Sequence, residues 1–138
     1  MGRRLARELA LKILYRYEEG DTNLPGILCA TLEGKKYKNH DKEFCRHLVE
    51  KTVNNLDIID KHIMKVVKNW SYDRLSVIDK TILRFGTCEI LYFNDIPVQV
   101  TINEAIEIAK KYGGSESDKF INGVLDAVKK SYESSNNK

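Results

Sequence analysis

The sequence lacks the features that would place it in a membrane or outside the cell. It has no long apolar run, so we expect no transmembrane helix. Its charged N-terminus lacks the apolar stretch of a signal peptide. The three cysteines, Cys29, Cys45 and Cys88, are odd in number and form no CxxC pair, which is typical of reduced thiols rather than a disulfide scaffold. We therefore expect a cytoplasmic protein that makes no contact with a membrane.

The signatures of the common enzyme classes are missing as well. There is no Gly-rich phosphate loop, no HExxH and no nucleophile elbow. The three histidines and Cys45 do not show the paired spacing of zinc ligands. The aspartates near predicted helices are typical of helix starts and solvated ion pairs rather than of acid–base catalysis. We expect no metal, no cofactor and no catalytic activity.

What is present is a succession of amphipathic helix patterns. Apolar residues recur at helical spacing through six or seven segments, the first of them ending at Gly20. Gly86 lies inside a long helical segment, which indicates a close helix–helix approach. The residues from Ile96 to Ile102 alternate as in a strand, but no second strand exists to pair with them. We interpret them as an extended lead-in to a helix that begins at the capping box Thr101–Glu104. The pattern predicts an all-α fold.

The chain is predicted to form one domain over residues 1–131. Its 138 residues suit a single domain, or two small subdomains that share a core. We place the boundary between such subdomains near residues 56 and 57, within packed helices. The polar residues 132–138 are predicted to be a disordered tail.

Positive charge is concentrated at the N-terminus. Five of the six charged residues among the first seventeen are basic, which gives this stretch a charge of +4 in a chain that nets +3. They are Arg3, Arg4, Arg7, Lys12 and Arg16. Because they lie on an amphipathic helix, they form a rigid basic surface of the kind that binds nucleic acid. Tyr15 and Leu11 are predicted to point away from the core, and Tyr15 adds a stacking or partner surface. The alternative is a helical adaptor whose basic face binds an acidic protein.

The start of the last helix carries a second candidate site. Phe120 lies at the edge of the apolar stripe and Lys119 lies outside it. A phenylalanine at such a border is more often part of the core. It could equally stack a base while helix N–H groups meet phosphate.

Several segments together resemble the NusB family of bacterial transcription antitermination factors. They are RRLARE at 3–8 with ILY at 13–15, DKTILR at 79–84 with EI at 89–90, PV at 97–98 leading into INEAIEIAK at 102–110, and KFINGVLD at 119–126. The resemblance implies two packed three-helix subdomains, sometimes with an extra short helix. It implies joint binding of single-stranded boxA RNA with NusE, a small-subunit ribosomal protein, in the RNA polymerase antitermination complex, chiefly on rRNA operons. NusB-like proteins are not enzymes, and they occur as monomers and as homodimers.

The resemblance also assigns residues. The positions implied to bind RNA are Arg3, Arg4, Arg7, Lys119 and Phe120. The positions implied to affect partner binding are Tyr15, Asp79 and Glu116. Leu5 interrupts a basic run that is longer in many relatives. We interpret Asn103–Glu104 and Asn122–Gly123 as structural, a cap and a close helix approach.

Overall fold

A computed structural model of the chain describes residues 3–34, 36–67 and 75–136. Within these ranges the secondary structure consists of seven α-helices and contains no strand, which confirms the predicted fold class. They are α1 (Arg4–Glu18), α2 (Leu24–Leu32), α3 (Asn39–Asn54), α4 (Leu56–Val66), α5 (Val77–Tyr92), α6 (Val98–Tyr112) and α7 (Ser117–Asn136).

The helices form two groups that share α5. In the first group, α1 packs against α2 and α3; in the second, α4, α6 and α7 pack against α5. Helices α1 and α3 also pack on α5, so the buried apolar residues form one continuous core. Because α1 has neighbours on several sides, Leu11 is buried, and the prediction that it points outward is wrong. Tyr15 is exposed as predicted.

Helix α6 begins earlier than the sequence pattern indicated. It starts at Val98, directly after Pro97, and Thr101 lies one turn inside it. The Thr101 hydroxyl donates to the buried carboxylate of Glu89 at 2.8 Å instead of capping the helix. The predicted extended lead-in and the capping box are therefore wrong. The apparent alternation arises because Val100 lies on the exposed side of a helix whose Ile102 is buried.

The C-terminal residues are more ordered than the composition predicted. Helix α7 continues to Asn136, so the predicted disordered tail is wrong for residues 132–136, while 137–138 lie outside the described residues. Tyr132 explains the difference, because it packs against the core and its ring lies 6.4 Å from that of His62, edge to face. One aromatic anchor thus extends the helix beyond its apolar stripe.

Two glycines that lie inside helices have opposite surroundings. A Cβ added at Gly86 would lie 3.0 Å from a methyl group of Leu125, which confirms the predicted close approach of α5 and α7. A Cβ added at Gly123 would meet nothing within 4 Å, and both Asn122 and Gly123 are exposed. The close approach predicted at Asn122–Gly123 is therefore wrong.

We expect the two glycines to respond oppositely to substitution. Gly86→Val should destabilise the protein by about 1–3 kcal/mol, because the added methyl groups overpack the contact with Leu125. Gly123→Ala should stabilise it by about 0.5–1 kcal/mol, because alanine has less backbone entropy to lose in a helix. Urea denaturation of both variants measures the effect. A Gly86→Val variant as stable as the unaltered protein would contradict the packing.

The cysteines differ in accessibility. Burial raises the pKa of Cys45 and of Cys88 to about 12. Cys29 is exposed, and its hydrogen bond with Glu33 raises the pKa of its thiol. We expect only Cys29 to react with DTNB in the folded protein, at a rate that rises with pH, and the other two to react after unfolding in urea. Fast reaction of either remaining thiol in the folded Cys29→Ser variant would contradict this arrangement.

Candidate nucleic-acid interface

Helices α1 and α6 lie side by side and run in the same direction. Arg4, at the start of α1, donates through Nε and Nη2 to the two carboxylate oxygens of Glu104 in the middle of α6, both at 2.9 Å. Further along, Glu8 accepts from Lys111 at 3.1 Å and from the Tyr112 hydroxyl at 3.1 Å. The hydrogen bonds from Arg4 lower the pKa of Glu104. We call these contacts the α1–α6 seam; it is partly exposed, and its side chains are held in place by their hydrogen bonds.

Helices α1 and α5 run in opposite directions. Arg7, near the start of α1, pairs with Glu89 near the end of α5. Glu18, at the end of α1, pairs with Arg84 at 2.8 Å and with Lys80 at 3.7 Å. The C-terminal end of α1 therefore lies beside the first turns of α5, where Asp79 is located.

The predicted site residues consequently fall at two ends of the molecule. The arginine end consists of Arg3, Arg4 and Arg7 at the start of α1. The Phe120 end consists of Asp79, Glu116, Lys119 and Phe120, which line one pocket at the starts of α5 and α7. Helix α1 has 15 residues and is about 22 Å long. The two ends are therefore separated by roughly that length.

Arg7 is part of the core rather than of the surface. Its side chain is 2% exposed and donates from Nε and Nη2 to the two oxygens of Glu89, each at 2.7 Å. The prediction that Arg7 contacts phosphate is wrong, because a carboxylate 82 residues away occupies its guanidinium. The sequence did contain a signal of this pairing, since Glu89 is an acidic residue within an apolar stretch of α5. A buried carboxylate requires a cation or donors.

Arg3 and Arg4 differ in how much of their guanidinium groups remains available to bind a ligand. Arg4 is 48% exposed, but Glu104 already occupies two of its donor groups. Arg3 is exposed, and its guanidinium lies over the ring of Phe44, 4.5 Å from the centroid. Phe44 in turn makes an edge-to-face contact with Phe93 at 5.7 Å. The stacked Arg3 is therefore a positioned cation, and neither Phe44 nor Glu104 was identified as a site residue from the sequence.

At the Phe120 end, the structure brings four of the predicted residues to one pocket of about 660 Å³. Lys119 and Glu116 are both exposed, with Nζ and carboxylate oxygen 3.8 Å apart. Phe120 is partly buried and packs against the core while also lining the pocket. The Oδ1 atom of Asp79 is buried and has no hydrogen-bond partner among the residues that the structure describes. A buried acceptor without a donor is unfavourable, so this position favours an incoming N–H or O–H group.

Tyr15 lies outside this pocket, near the C-terminal end of α1, which is the end that lies beside the start of α5. It is 39% exposed and precedes Glu18 by one turn. Because Glu18 contacts Lys80, the residue after Asp79, Tyr15 faces solvent near the start of α5. The Phe120 end thus combines an aromatic pocket with a neighbouring exposed tyrosine.

In the described part of the chain, seven helices surround one core, and an exposed arginine and an aromatic pocket lie at separate ends of the surface. This arrangement defines a small all-helical protein with surfaces suited to nucleic acid. The sequence matches the NusB family model over residues 4–130. The chain belongs to the NusB family. The transcription antitermination protein NusB of Thermodesulfovibrio yellowstonii is 45% identical, over 94% of this chain and 93% of the relative. That of Fervidobacterium nodosum is 42% identical, over 94% and 92%.

Solved structures agree with this assignment. T. maritima NusB superimposes with a TM-score of 0.87 at 42% identity, over 94% of this chain and 92% of the other. The antitermination factors NusB and NusE in complex with double-stranded RNA include a chain with a TM-score of 0.84 at 30% identity, over 94% and 97%. The fold is therefore shared along nearly the whole chain.

The two ion pairs of α1 should differ strongly in their effect on stability. Arg7→Met should destabilise the protein by about 3–5 kcal/mol, because it leaves the Glu89 charge buried and unpaired. Arg4→Met removes a half-exposed pair and should cost about 1 kcal/mol or less. Urea denaturation of both variants measures the difference. The double variant Arg7→Met/Glu89→Met should recover much of the loss, and equal effects of the two single substitutions would contradict the buried pair.

Proposed function

We propose that this chain is a transcription antitermination factor that binds single-stranded boxA-type RNA jointly with NusE, chiefly during transcription of rRNA operons. The observation that carries the proposal is the pocket at the Phe120 end, where an aromatic ring, a lysine and an unpaired buried carboxylate oxygen meet. The related structure of NusB and NusE in complex with double-stranded RNA supports NusE and RNA as the two partners. In this proposal the complex acts on RNA polymerase during elongation.

Phosphate binding is assigned to the exposed cations. Arg3 and Lys119 are exposed, and Arg4 retains one nitrogen that its bonds to Glu104 do not use. The first turn of α7 adds backbone N–H groups beside Lys119, which favours an anion there. Such contacts give affinity that falls with salt and carries little sequence information. Arg7 has no part in this because it is buried.

Base recognition is assigned to the pocket around Phe120. Single-stranded RNA exposes the faces of its bases, and these stack on aromatic side chains. The ring of Phe120 is held against the core by packing, so little conformational freedom is lost when a base stacks on it. The lysine beside it lies within reach of the backbone of the same nucleotide.

NusE is assigned to the surface that carries Tyr15, Asp79 and Glu116. The unpaired Oδ1 of Asp79 would accept a donor from NusE, and the exposed Tyr15 offers both a ring and a hydroxyl. Because RNA and NusE meet at the same end of the molecule, each increases the effective concentration of the other. Neither needs to bind tightly alone.

The electrostatics disfavour the alternative of an adaptor for an acidic protein. Two of the three arginines at the start of α1 are already paired with carboxylates of this chain. The basic face is therefore weaker than the sequence indicated, and an acidic partner would find little uncompensated charge there.

The test is a titration of boxA-type RNA with and without NusE, using two lysines of α7 as a matched pair. Lys119 lines the pocket, whereas Lys130 lies three turns further along; their side chains are 77% and 74% exposed. Lys119→Gln should weaken binding and reduce the salt slope by about 1, while Lys130→Gln should change neither. Phe120→Ala should cost about 1–3 kcal/mol of binding free energy. A melting curve confirms that each variant is folded.

Three results would contradict the proposed function. The first is absence of RNA binding both with and without NusE. The second is an equal effect of the Lys119 and Lys130 substitutions, which would indicate nonspecific charge attraction. The third is competition by an acidic protein but not by boxA-type RNA, which would support the adaptor instead.

A further inference from the structure

Beside Arg3, which the proposed function assigns to phosphate, lies a cleft to which that function assigns no ligand. It has a volume of about 490 Å³ and lies between the start of α1 and the turn that joins α5 to α6. Its lining includes Arg3, Asp95, Ile96, Pro97, Val100 and Glu104. The cleft therefore combines the exposed Arg3, the buried and paired Arg7, two carboxylates and an apolar wall.

The charge of the cleft does not favour a run of phosphates. The guanidinium groups of Arg3, Arg4 and Arg7 are balanced by the carboxylates of Glu89, Glu104 and Asp95, so the surroundings carry no net charge. Arg7 and Arg4 are each held in two-bonded pairs. Arg3 forms no ion pair within the described part of the chain and is held by Phe44 alone. One phosphate can be bound here, but the remainder of the ligand must be neutral.

The apolar wall supplies a surface for that neutral part. Val100, in the first turn of α6, is an apolar residue that is 44% exposed, and Pro97 beside it is also exposed. Ile96 is buried beneath them. A flat, uncharged group such as a nucleobase could cover this wall, and the carboxylate of Asp95 could accept a hydrogen bond from its edge. Carboxylates accept from the exocyclic amino group of cytosine, a group that uracil lacks.

The α1–α6 seam connects this cleft to the Phe120 end. Lys111, which is 58% exposed, lies between the two and pairs with Glu8 of α1. The separation, roughly the length of α1, is one that a few extended nucleotides can span. One RNA strand can thus reach both ends.

We propose that this cleft binds one base of the same RNA strand, a base that carries an amino group. The base covers Val100 and Pro97, its amino group donates to Asp95, and its phosphate contacts Arg3. The proposal rests on the proposed function, since the strand is the one bound at Phe120. It adds a second, separate point of base recognition about one helix length away.

The experiment couples a protein variant to single abasic sites in the RNA. Binding of boxA-type RNA to the full chain with NusE is measured while each nucleotide in turn is made abasic. We expect one position whose abasic replacement weakens binding roughly tenfold in the unaltered protein and not at all in Val100→Gln. Ile58→Gln is the matched control, because Ile58 on α4 is 48% exposed but lies outside the cleft. At the coupled position, replacing cytosine by uracil should weaken binding, and Asp95→Ala should abolish that difference.

The outcomes separate this proposal from the proposed function. If RNA binding depends on Phe120 but no nucleotide couples to Val100, the cleft is not a base site and the proposed function stands. If Val100→Gln weakens binding of NusE in the absence of RNA, the cleft is a protein contact and the proposal is wrong. If no RNA binds at all, both proposals fail.

Discussion

The buried pair of Arg7 and Glu89 is the contact on which the arrangement of α1, α5 and α6 depends. Glu89 accepts from Arg7 through both oxygens and from Thr101, so one carboxylate connects three helices. An unpaired charge in the core costs several kcal/mol, which disfavours any register of α1 that separates the two. The pair therefore sets the position of α1 along the helices beside it, and with it the positions of Arg3 and Tyr15.

The positions of the side chains at both ends of α1 follow from that register. Arg7 and Arg3 both lie over the ring of Phe44, at 5.3 and 4.5 Å, so the buried arginine and the exposed one share a single aromatic support. At the other end of α1, Glu18 contacts Arg84, which also binds Asp60 of α4 through two hydrogen bonds of 2.9 Å. Charged networks at both ends hold a helix whose middle buries Leu9, Ala10, Leu11, Ile13 and Leu14. The surfaces proposed to bind RNA and NusE are thus carried on rigid elements.

The two ends of the molecule offer different chemical groups, which is consistent with linked binding of one RNA strand at both. The Phe120 end offers an aromatic ring and an acceptor that has no donor among the described residues, whereas the arginine end offers the exposed Arg3 beside an apolar wall. Neither end has the dense positive charge that would bind RNA tightly without a partner. In the proposed complex, modest affinity at each point would be multiplied along one strand and by a second protein, which would provide both strength and selectivity.

The sequence by itself determined the helices and the family. Periodicity predicted the all-α fold and the close approach at Gly86, because these depend on neighbours within one or two turns or on a single missing Cβ. It did not determine which arginines face solvent. Arg7 and Arg4 are neutralised by Glu89 and Glu104, residues 82 and 100 positions away. Such pairings arise only when the helices pack. A local sequence pattern shows which residues share one face of a helix, but it does not show which residues of another helix contact that face. The tertiary structure alone therefore decided that Arg3 is the presented cation, that Asp79 joins Phe120 in one pocket, and that Val100 lines a cleft.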